Sequence, residues 1–384
     1  MVPHTIAATD EREIPALTGI RGFAAILVVW GHFYASWVVL LPQMSCLRLL
    51  AGQGQLGVDL FFVLSGFILS YVYDAGGKPL DFARYRKFVW FRFARIYPLH
   101  LAMLATVVVV AVCERHAGLP APGSYPAAAL PFQLTMTHAW LVVQDSQWNY
   151  PSWSISAEWF AYLFMFPLTG WLLRWKLRPV GLLLAAYAAL TAWVLLLLHF
   201  DGHSFWRYGA LWRVSLEFLA GGALYGVYQR GPGITGWCQR NATWVFLALI
   251  GFLAVTPKDY QLLAAGGARF FVPLLLLGLT SRASALARTL STRPALFLGR
   301  VSYAIYMSHA ASERILDSVL PAHQFAESGL GVRLLVLGAN LALIIGLATV
   351  CYYLVELPAR DFLRRAVRKR VVQPPPAAGE NAVA

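Results

Sequence analysis

Arg21 and His32 are two ionisable residues inside one apolar stretch, which runs from Ala16 to Trp37 and is long enough to span a bilayer. Ionisable side chains are costly within the hydrocarbon of a membrane, so they are candidates for function. The two lie eleven positions apart, about three turns of helix, so they share a helix face about 16 Å apart along its axis. With Arg21 near one surface, His32 lies about halfway across a core about 30 Å thick. The spacing predicts a basic entrance and a buried titratable group on one stripe.

Glu158 lies about two turns into another apolar stretch, and Ser154 precedes it by one turn on the same helix face. A carboxylate in hydrocarbon must be paired or protonated, and the partners that we consider are His32, Arg21 and a substrate hydroxyl. A purely structural ion pair is the alternative. Trp153 is typical of the aromatic belt at the outer membrane interface, and the same ring could stack on a sugar.

Arg92 and Arg95 are spaced i, i+3 and therefore share a helix face at the start of a predicted span. Tyr97 and Pro98 mark the entry into that span, because proline fits the first turn of a helix. Guanidinium groups bind phosphates in a bidentate manner, so the pair suits a polyphosphorylated ligand such as coenzyme A. The alternative is a basic juxtamembrane helix that anchors to lipid headgroups.

Asp59, Tyr306 and His309 are weaker candidates for a binding site. Asp59 lies near the outer end of the second span, where it orients a partner on the first helix or simply caps a closely packed helix. Tyr306 and His309 share one face of the ninth span, although a lone intramembrane histidine is more often a packing residue. The residues that we predict to contact substrate are Asp59, Trp153, Ser154, Tyr306 and His309.

Other charged residues in the spans have simpler interpretations. Arg213 and Glu217 form an i, i+4 pair that we interpret as structural, and Arg269 has no evident partner in the sequence. Glu356 and Pro358 are expected to close the last span against a basic tail that anchors to the membrane surface.

The composition defines the class of protein that carries these residues. Of the 384 residues 59% are hydrophobic and only 13% are charged, which predicts a polytopic, all-α transmembrane bundle. Residues 130–143 are too short to span, so we interpret them as a re-entrant or interfacial helix. Hydropathy predicts about ten spans, at residues 16–39, 56–74, 96–113, 152–173, 179–199, 211–229, 242–256, 262–280, 295–317 and 332–355.

The net charge of +13 is mainly a signal of membrane topology. Most of the 31 Lys and Arg fall in the loops and ends that lie inside when both termini are cytoplasmic, as the positive-inside rule requires. Nucleic acid is therefore not an expected partner, whereas the lipid bilayer is. We predict no metal site, because the four cysteines lack the spacing of zinc, haem or disulfide motifs.

Three segments are predicted along the chain. Residues 1–13 form a cytoplasmic tail without the features of a signal peptide, and residues 14–362 form the transmembrane domain. Residues 363–384 are basic and then rich in Pro and Ala, so we expect a disordered cytoplasmic tail.

Six motifs, in order, resemble those of the bacterial acyltransferase-3 family of integral-membrane acyltransferases, from about Ile14 to Phe362. They are RGFAAILVVWGHF, GVDLFFVLSGFILS, FRFARIYPLH, PSWSISAEWF, SYAIYMSH and VELPARDF. Each is weak alone, and together they are specific. The family's site residues correspond to Arg21 and His32, to the arginine pair Arg92 and Arg95, and to Glu158. Trp159 stands where the family often has a second acidic residue, so a role for that carboxylate is absent here.

The resemblance implies transfer of an acyl group, most often acetyl, from acyl-CoA to a hydroxyl of a cell-surface or lipid-linked carbohydrate. It implies catalysis by Arg21, His32 and Glu158, with His32 as general base or as transient acyl carrier, and binding of CoA by Arg92 and Arg95. Acyl-CoA is then a donor substrate, no cofactor is permanently bound, and the site is in the bacterial inner membrane.

Some relatives carry a C-terminal SGNH domain that completes the transfer. Without one, this chain is expected to transfer directly or to use a separate periplasmic partner. The alternative functions are a transporter or flippase of a lipid-linked or acylated sugar and a catalytically silent scaffold subunit. A transporter is disfavoured by the lack of recognisable inverted repeats in the sequence.

Overall fold

The computed structural model describes residues 13–77, 80–116, 118, 126–140, 148–199, 209–256 and 266–372, and within these ranges it is helical with no strand. The helices are α1 Pro15–Leu40, α2 Arg48–Ala51, α3 Gly54–Tyr73, α4 Phe82–His116, α5 Leu130–Leu134, α6 Ser152–Phe160, α7 Phe166–Leu173, α8 Pro179–His199, α9 Ala210–Arg230, α10 Pro232–Val255, α11 Val272–Gly278, α12 Ala285–Leu290, α13 Arg293–Val319, α14 Leu330–Cys351 and α15 Leu357–Val372. The predicted all-α class is confirmed.

Six helical segments are long and apolar enough to cross a membrane: Pro15–Leu40, Gly54–Tyr73, Phe82–His116, Pro179–Leu196, Pro232–Val255 and Leu330–Ala366. The other four predicted spans coincide with helices that are interrupted, short or charged. Segment 152–173 contains the π turn Ala161–Met165 between α6 and α7, and Gly266–Gly278 is a shorter apolar helix. The count of about ten spans and the orientation of the termini stay predictions.

Two predicted helix ends are wrong, both at a proline. α4 begins at Phe82, so Pro98 lies inside the helix and does not open it. At the other end of the chain, the π turn Tyr352–Glu356 joins α14 directly to α15. A π turn leaves amide groups outside the usual i to i−4 ladder, so it accommodates Pro358 without ending the helix.

The terminal segments extend beyond what the structure describes. Helix α15 runs to Val372, so the first part of the predicted disordered tail is helical. Residues 373–384 and most of the predicted N-terminal tail, residues 1–12, lie outside the described residues.

Of the predicted re-entrant segment, residues 130–140 form the five-residue helix α5 followed by turns, and residues 141–143 also lie outside the described residues.

Helix α1 is central, because it packs against both α3 and α13. Helix α9 packs against α3 and α8. The crossing of α3 and α9 depends on two glycines. A Cβ atom on Gly221 of α9 would lie 2.0 Å from the carbonyl oxygen of Val63, and one on Gly66 of α3 would lie 2.0 Å from that of Phe218. Each glycine therefore lets one backbone approach the other, as small residues do at helix contacts in membranes.

We expect Gly221→Ala to destabilise the protein by about 1–3 kcal/mol, because the methyl group forces α3 and α9 apart. The measurement is the midpoint of thermal unfolding in detergent. Gly338→Ala is the matched control, since its Cβ would meet no heavy atom within 4 Å and alanine favours a helix. An unchanged midpoint for Gly221→Ala would contradict the close approach of these two helices.

Candidate active site

Two cavities lie between the helices around α1, and they share Val58 and Tyr306 in their walls. The first has a volume of about 130 Å³ and the second a volume of about 290 Å³. We call the first the arginine cavity; its polar lining comprises Arg21, Ser65, Arg92, Arg95, Ser154, Glu158, Tyr162, Tyr303 and Tyr306. We call the second the histidine cavity; its larger polar and aromatic residues are His32, Gln55, Tyr150, Trp153, Tyr306 and His309.

The arginine cavity collects three guanidinium groups from two helices, with Arg21 on α1 and the pair Arg92 and Arg95 on α4. Arg92 lies over the ring of Tyr73, with 5.7 Å between its Cζ atom and the ring centroid. The spacing that predicted a shared face for Arg92 and Arg95 therefore holds in α4. The carboxylates of Glu158 and Glu356 lie close to these three guanidinium groups, and the cations outnumber them, so the site suits an anionic ligand.

Arg95 has a structural partner that the sequence did not reveal. Its guanidinium forms an ion pair with Glu356, which is 1% exposed and lies in the π turn before α15. The same guanidinium lies 5.5 Å from the ring centroid of Tyr303, whose hydroxyl donates to the carbonyl of Ile96 at 2.6 Å. Arg95 therefore joins the last helical run of the chain to α4 and faces the cavity as well.

Glu158 also faces the arginine cavity, where its carboxylate accepts hydrogen bonds from Ser65 Oγ at 2.5 Å and from Tyr162 Oη at 2.6 Å. His32 lines the other cavity, and no hydrogen bond joins it to Glu158 in the structure. Of the three partners that we considered for Glu158, His32 is therefore not in contact with it. The cause is the spacing along α1, which separates Arg21 and His32 by about 16 Å and leaves Glu158 at the level of Arg21.

His32 lies in an aromatic cluster in the histidine cavity. Its ring centroid is 5.0 Å from that of Tyr150 and 5.0 Å from that of His309. The Tyr150 hydroxyl donates to Glu313 Oε2 at 2.9 Å, and burial raises the pKa of Tyr150 above its ordinary value, so this group stays a donor. The ring of Tyr150 is thereby held beside His32.

His309 is completely buried in α13, with an exposed fraction of 0%. Its Nδ1 atom lies 2.6 Å from the carbonyl oxygen of Tyr306, which can only accept, so Nδ1 carries the hydrogen. Its Nε2 atom then carries a lone pair, and among the described residues that buried atom has no hydrogen-bond partner. The Tyr306 hydroxyl accepts from Ser154 Oγ at 2.8 Å, which fixes the tyrosine between the two cavities.

Asp59 does not orient a group on α1, as one of our two interpretations had it. It is 1% exposed and pairs with Arg213 of α9 and, at 2.7 Å, with Arg269. Arg269, for which the sequence showed no partner, therefore belongs to this cluster, together with Glu217 at 3.7 Å from Arg213. Asp59 is absent from the lining of both cavities, whereas the other four predicted substrate residues line one or both.

Three residues of the site were missed at the level of sequence: Tyr150, Glu313 and Glu356. Tyr150 precedes the PSWSISAEWF motif directly, and Glu313 follows His309 by one helical turn. Glu356 is the first of the two acidic residues of VELPARDF, and its position at the end of an apolar run was its only signal.

Comparisons with known proteins show which family the chain resembles over most of its length. A family described as an acyltransferase domain matches residues 14–355. The chain is 29% identical to the acyltransferase MdmB of Streptomyces mycarofaciens over 96% of this chain and 97% of that protein. It is 23% identical to the peptidoglycan O-acetyltransferase OatA of Listeria monocytogenes over 78% of this chain and 49% of that protein. The putative peptidoglycan O-acetyltransferase YrhL of Bacillus subtilis is 25% identical, over 78% and 48%. No solved structure matches.

Proposed function

Since this chain belongs to the acyltransferase-3 family, we propose that it is a membrane-bound O-acyltransferase that moves an acyl group from acyl-CoA to a hydroxyl of a carbohydrate. The simplest donor is acetyl-CoA, and the proposed location is the bacterial inner membrane. The observation that carries the proposal is the pair of adjoining cavities, one rich in arginine and one containing His32, with Tyr306 and Val58 in the wall of both.

The arginine cavity is the proposed site of the donor. Coenzyme A carries several phosphates, and guanidinium groups such as Arg92 form strong, charge-assisted hydrogen bonds with phosphate oxygens. The rest of the lining is largely apolar, with Phe61, Ile68 and Leu69, which suits a pantetheine arm better than it suits a free anion. The thioester at the end of that arm would reach the boundary formed by Val58 and Tyr306.

The histidine cavity is the proposed site of chemistry and of the acceptor. His32 would act on the thioester or on the acceptor hydroxyl, as a transient acyl carrier or as a general base. The rings of Trp153 and Tyr150 offer flat apolar faces of the kind that stack on sugars. The relative named as a peptidoglycan O-acetyltransferase supports a carbohydrate acceptor of the cell envelope.

The roles of Arg21 and Glu158 follow from the cavity that they share. Arg21 adds a third cation near the donor, and Glu158 holds Ser65 and Tyr162 in place on two neighbouring helical segments. In this proposal the two residues shape the donor site, whereas the chemistry proceeds at His32.

We expect Arg92→Ala to raise the KM for acetyl-CoA by about 10- to 100-fold, because a hydrogen bond to a charged group contributes about 1.5–3 kcal/mol. The measurement is the release of free CoA thiol by purified protein in nanodiscs, as a function of acetyl-CoA concentration. Arg92 is preferred to Arg95 for this test, because removing Arg95 leaves Glu356 buried without its partner.

Arg240→Ala is the matched control for Arg92→Ala. Arg240 is an exposed arginine of α10 that lines neither cavity, so its loss should leave the KM unchanged. An equal effect of the two substitutions would contradict the donor site. The absence of any acetyl-CoA turnover by the unmodified protein would reject the proposed function.

A further inference from the structure

We propose that His309 is a positioning residue that accepts a proton from His32 during acyl transfer. This inference rests on the proposed function, and it gives His32 a partner that Glu158, which lines the other cavity, does not provide. The two imidazoles would work as a pair, with His32 in contact with the reacting groups and His309 behind it.

The first observation is that the lone pair on His309 Nε2 accepts no hydrogen bond from any described residue. Because the carbonyl of Tyr306 holds the hydrogen on Nδ1, the Nε2 atom is an acceptor in a fixed tautomer. A buried acceptor without a hydrogen bond costs about 1–3 kcal/mol, so a structure that retains one needs a reason for it. A donor that arrives during the reaction supplies that reason.

The second observation is that His32 has the donor that His309 lacks. His32 is exposed, and in the described part of the chain neither of its ring nitrogens makes a hydrogen bond. The centroids of the two rings are 5.0 Å apart. Since a ring nitrogen lies about 1.1 Å from its centroid, two nitrogens turned toward each other come within about 2.8 Å, the length of a hydrogen bond. His32 is the exposed member of the pair, so its ring can turn while the ring of His309 is held by the carbonyl of Tyr306.

The third observation is that the carboxylates near the histidine cavity are already engaged with other groups. Carboxylates are the common second group of such pairs, and the carboxylate nearest in sequence is Glu313, which accepts the hydroxyl of Tyr150. Glu158 is engaged with Ser65 and Tyr162 in the other cavity. Of the described residues that line the histidine cavity, His309 is the one with an unpartnered buried basic atom.

The proton balance is the same for either role of His32. As a general base, His32 takes the proton of the acceptor hydroxyl on one nitrogen and gives the hydrogen of its other nitrogen to His309 Nε2. The acceptor oxygen bonds to the acyl carbon and the carbon–sulfur bond breaks. The departing thiolate then receives the proton back from His309 through His32, which leaves free CoA thiol, an ester and two neutral imidazoles.

As an acyl carrier, His32 attacks the thioester with one nitrogen and loses the hydrogen of the other to His309, so that a neutral acyl-imidazole and CoA thiolate form. The acceptor oxygen then bonds to the acyl carbon as the bond to His32 breaks, and His32 takes its hydrogen back from His309. The proton of the acceptor hydroxyl goes to the CoA thiolate, which leaves free CoA thiol and an ester. In both routes His309 begins and ends neutral.

The test uses two substitutions of His309 in the full chain in nanodiscs, with acetyl-CoA as donor and methyl glucoside as the hydroxyl probe. His309→Gln keeps an acceptor for the His32 hydrogen bond but cannot take a proton, and His309→Ala leaves space for an added ring. We expect both to lower kcat by about 10²-fold or more while the KM for acetyl-CoA stays within about twofold. Added imidazole should restore turnover to His309→Ala, and added pyrrole, which has the same shape but no basic nitrogen, should not.

Four results would overturn the proposed role of His309. Two concern kinetics: a nearly normal kcat for His309→Gln, or an effect of both substitutions on KM rather than on kcat. Two concern rescue: equal rescue by imidazole and pyrrole, or the absence of any rescue in a folded His309→Ala protein. The midpoint of thermal unfolding reports whether each variant is folded. If His309→Ala does not fold, the result for His309→Gln decides the test. A wild-type protein that releases no CoA overturns the proposed function itself, which is a different result from a change confined to His309.

Discussion

Replacement of His32 by alanine is expected to lower the rate of acyl transfer by about 10²- to 10⁴-fold, the contribution of a well-placed general acid–base group. A nucleophilic role would place the loss at the upper end of that range or beyond it. Because His32 lines the histidine cavity and not the arginine cavity, the KM for acetyl-CoA should change little. The measurement is the release of CoA from acetyl-CoA in nanodiscs, with single-turnover experiments to separate binding from chemistry.

The matched control is His323→Ala. His323 is exposed, lies in a short helical turn between α13 and α14, and lines neither cavity, so its removal should leave turnover unchanged. Radiolabelled acetyl-CoA adds a second readout, because label retained on the wild-type protein and lost in His32→Ala indicates an acyl carrier. Near-normal transfer by a correctly folded His32→Ala protein would exclude both roles of this residue.

The stripe on α1 was predictable because helical periodicity is a local property. The separation of eleven positions from Arg21 to His32 determines that they share a face and lie about 16 Å apart, whatever surrounds them. The same holds for Arg92 and Arg95 on α4. Periodicity cannot show that Arg21 and His32 line two different cavities. That depends on Val58 and Tyr306, which come from other helices and form the wall between the cavities.

Contacts between distant segments were the part that could not be predicted. Asp59 and Arg213 lie 154 positions apart, and nothing local indicates that they meet. The pairing of Glu356 with Arg95 likewise requires α15 and the π turn to pack on α4. A charged residue in an apolar stretch indicates that a partner exists, but only the packing of helices identifies it.

Helix boundaries failed where proline was taken to mark the start or the end of a helix. Pro98 and Pro358 both lie within continuous helical runs, because neighbouring turns and packed helices supply what the missing amide removes. The predicted spans 211–229 and 295–317 coincide with α9 and α13, whose charged residues Arg213 and Arg314 pair with carboxylates on other helices.

Asp59→Asn is expected to destabilise the protein by about 3–5 kcal/mol, the largest effect on stability that we predict. The carboxylate of Asp59 neutralises Arg213 and Arg269, and all three side chains are at most 3% exposed. After the substitution two buried guanidinium groups share only Glu217, so an excess positive charge is left in a medium that solvates it poorly. The measurement is the shift of the thermal unfolding midpoint in detergent.

Two further variants decide whether the excess charge is the cause. Asp81→Asn removes a carboxylate from the exposed pair with Arg84, and a surface pair contributes only about 0–1 kcal/mol, so that variant should unfold almost as the wild type does. Combining Asp59→Asn with Arg269→Gln removes one charge of each sign, and the double variant should be more stable than the sum of the single losses predicts. Strictly additive losses would show that Asp59 and Arg269 act independently, and the stability of the cluster would then reside in its packing rather than in its charge balance.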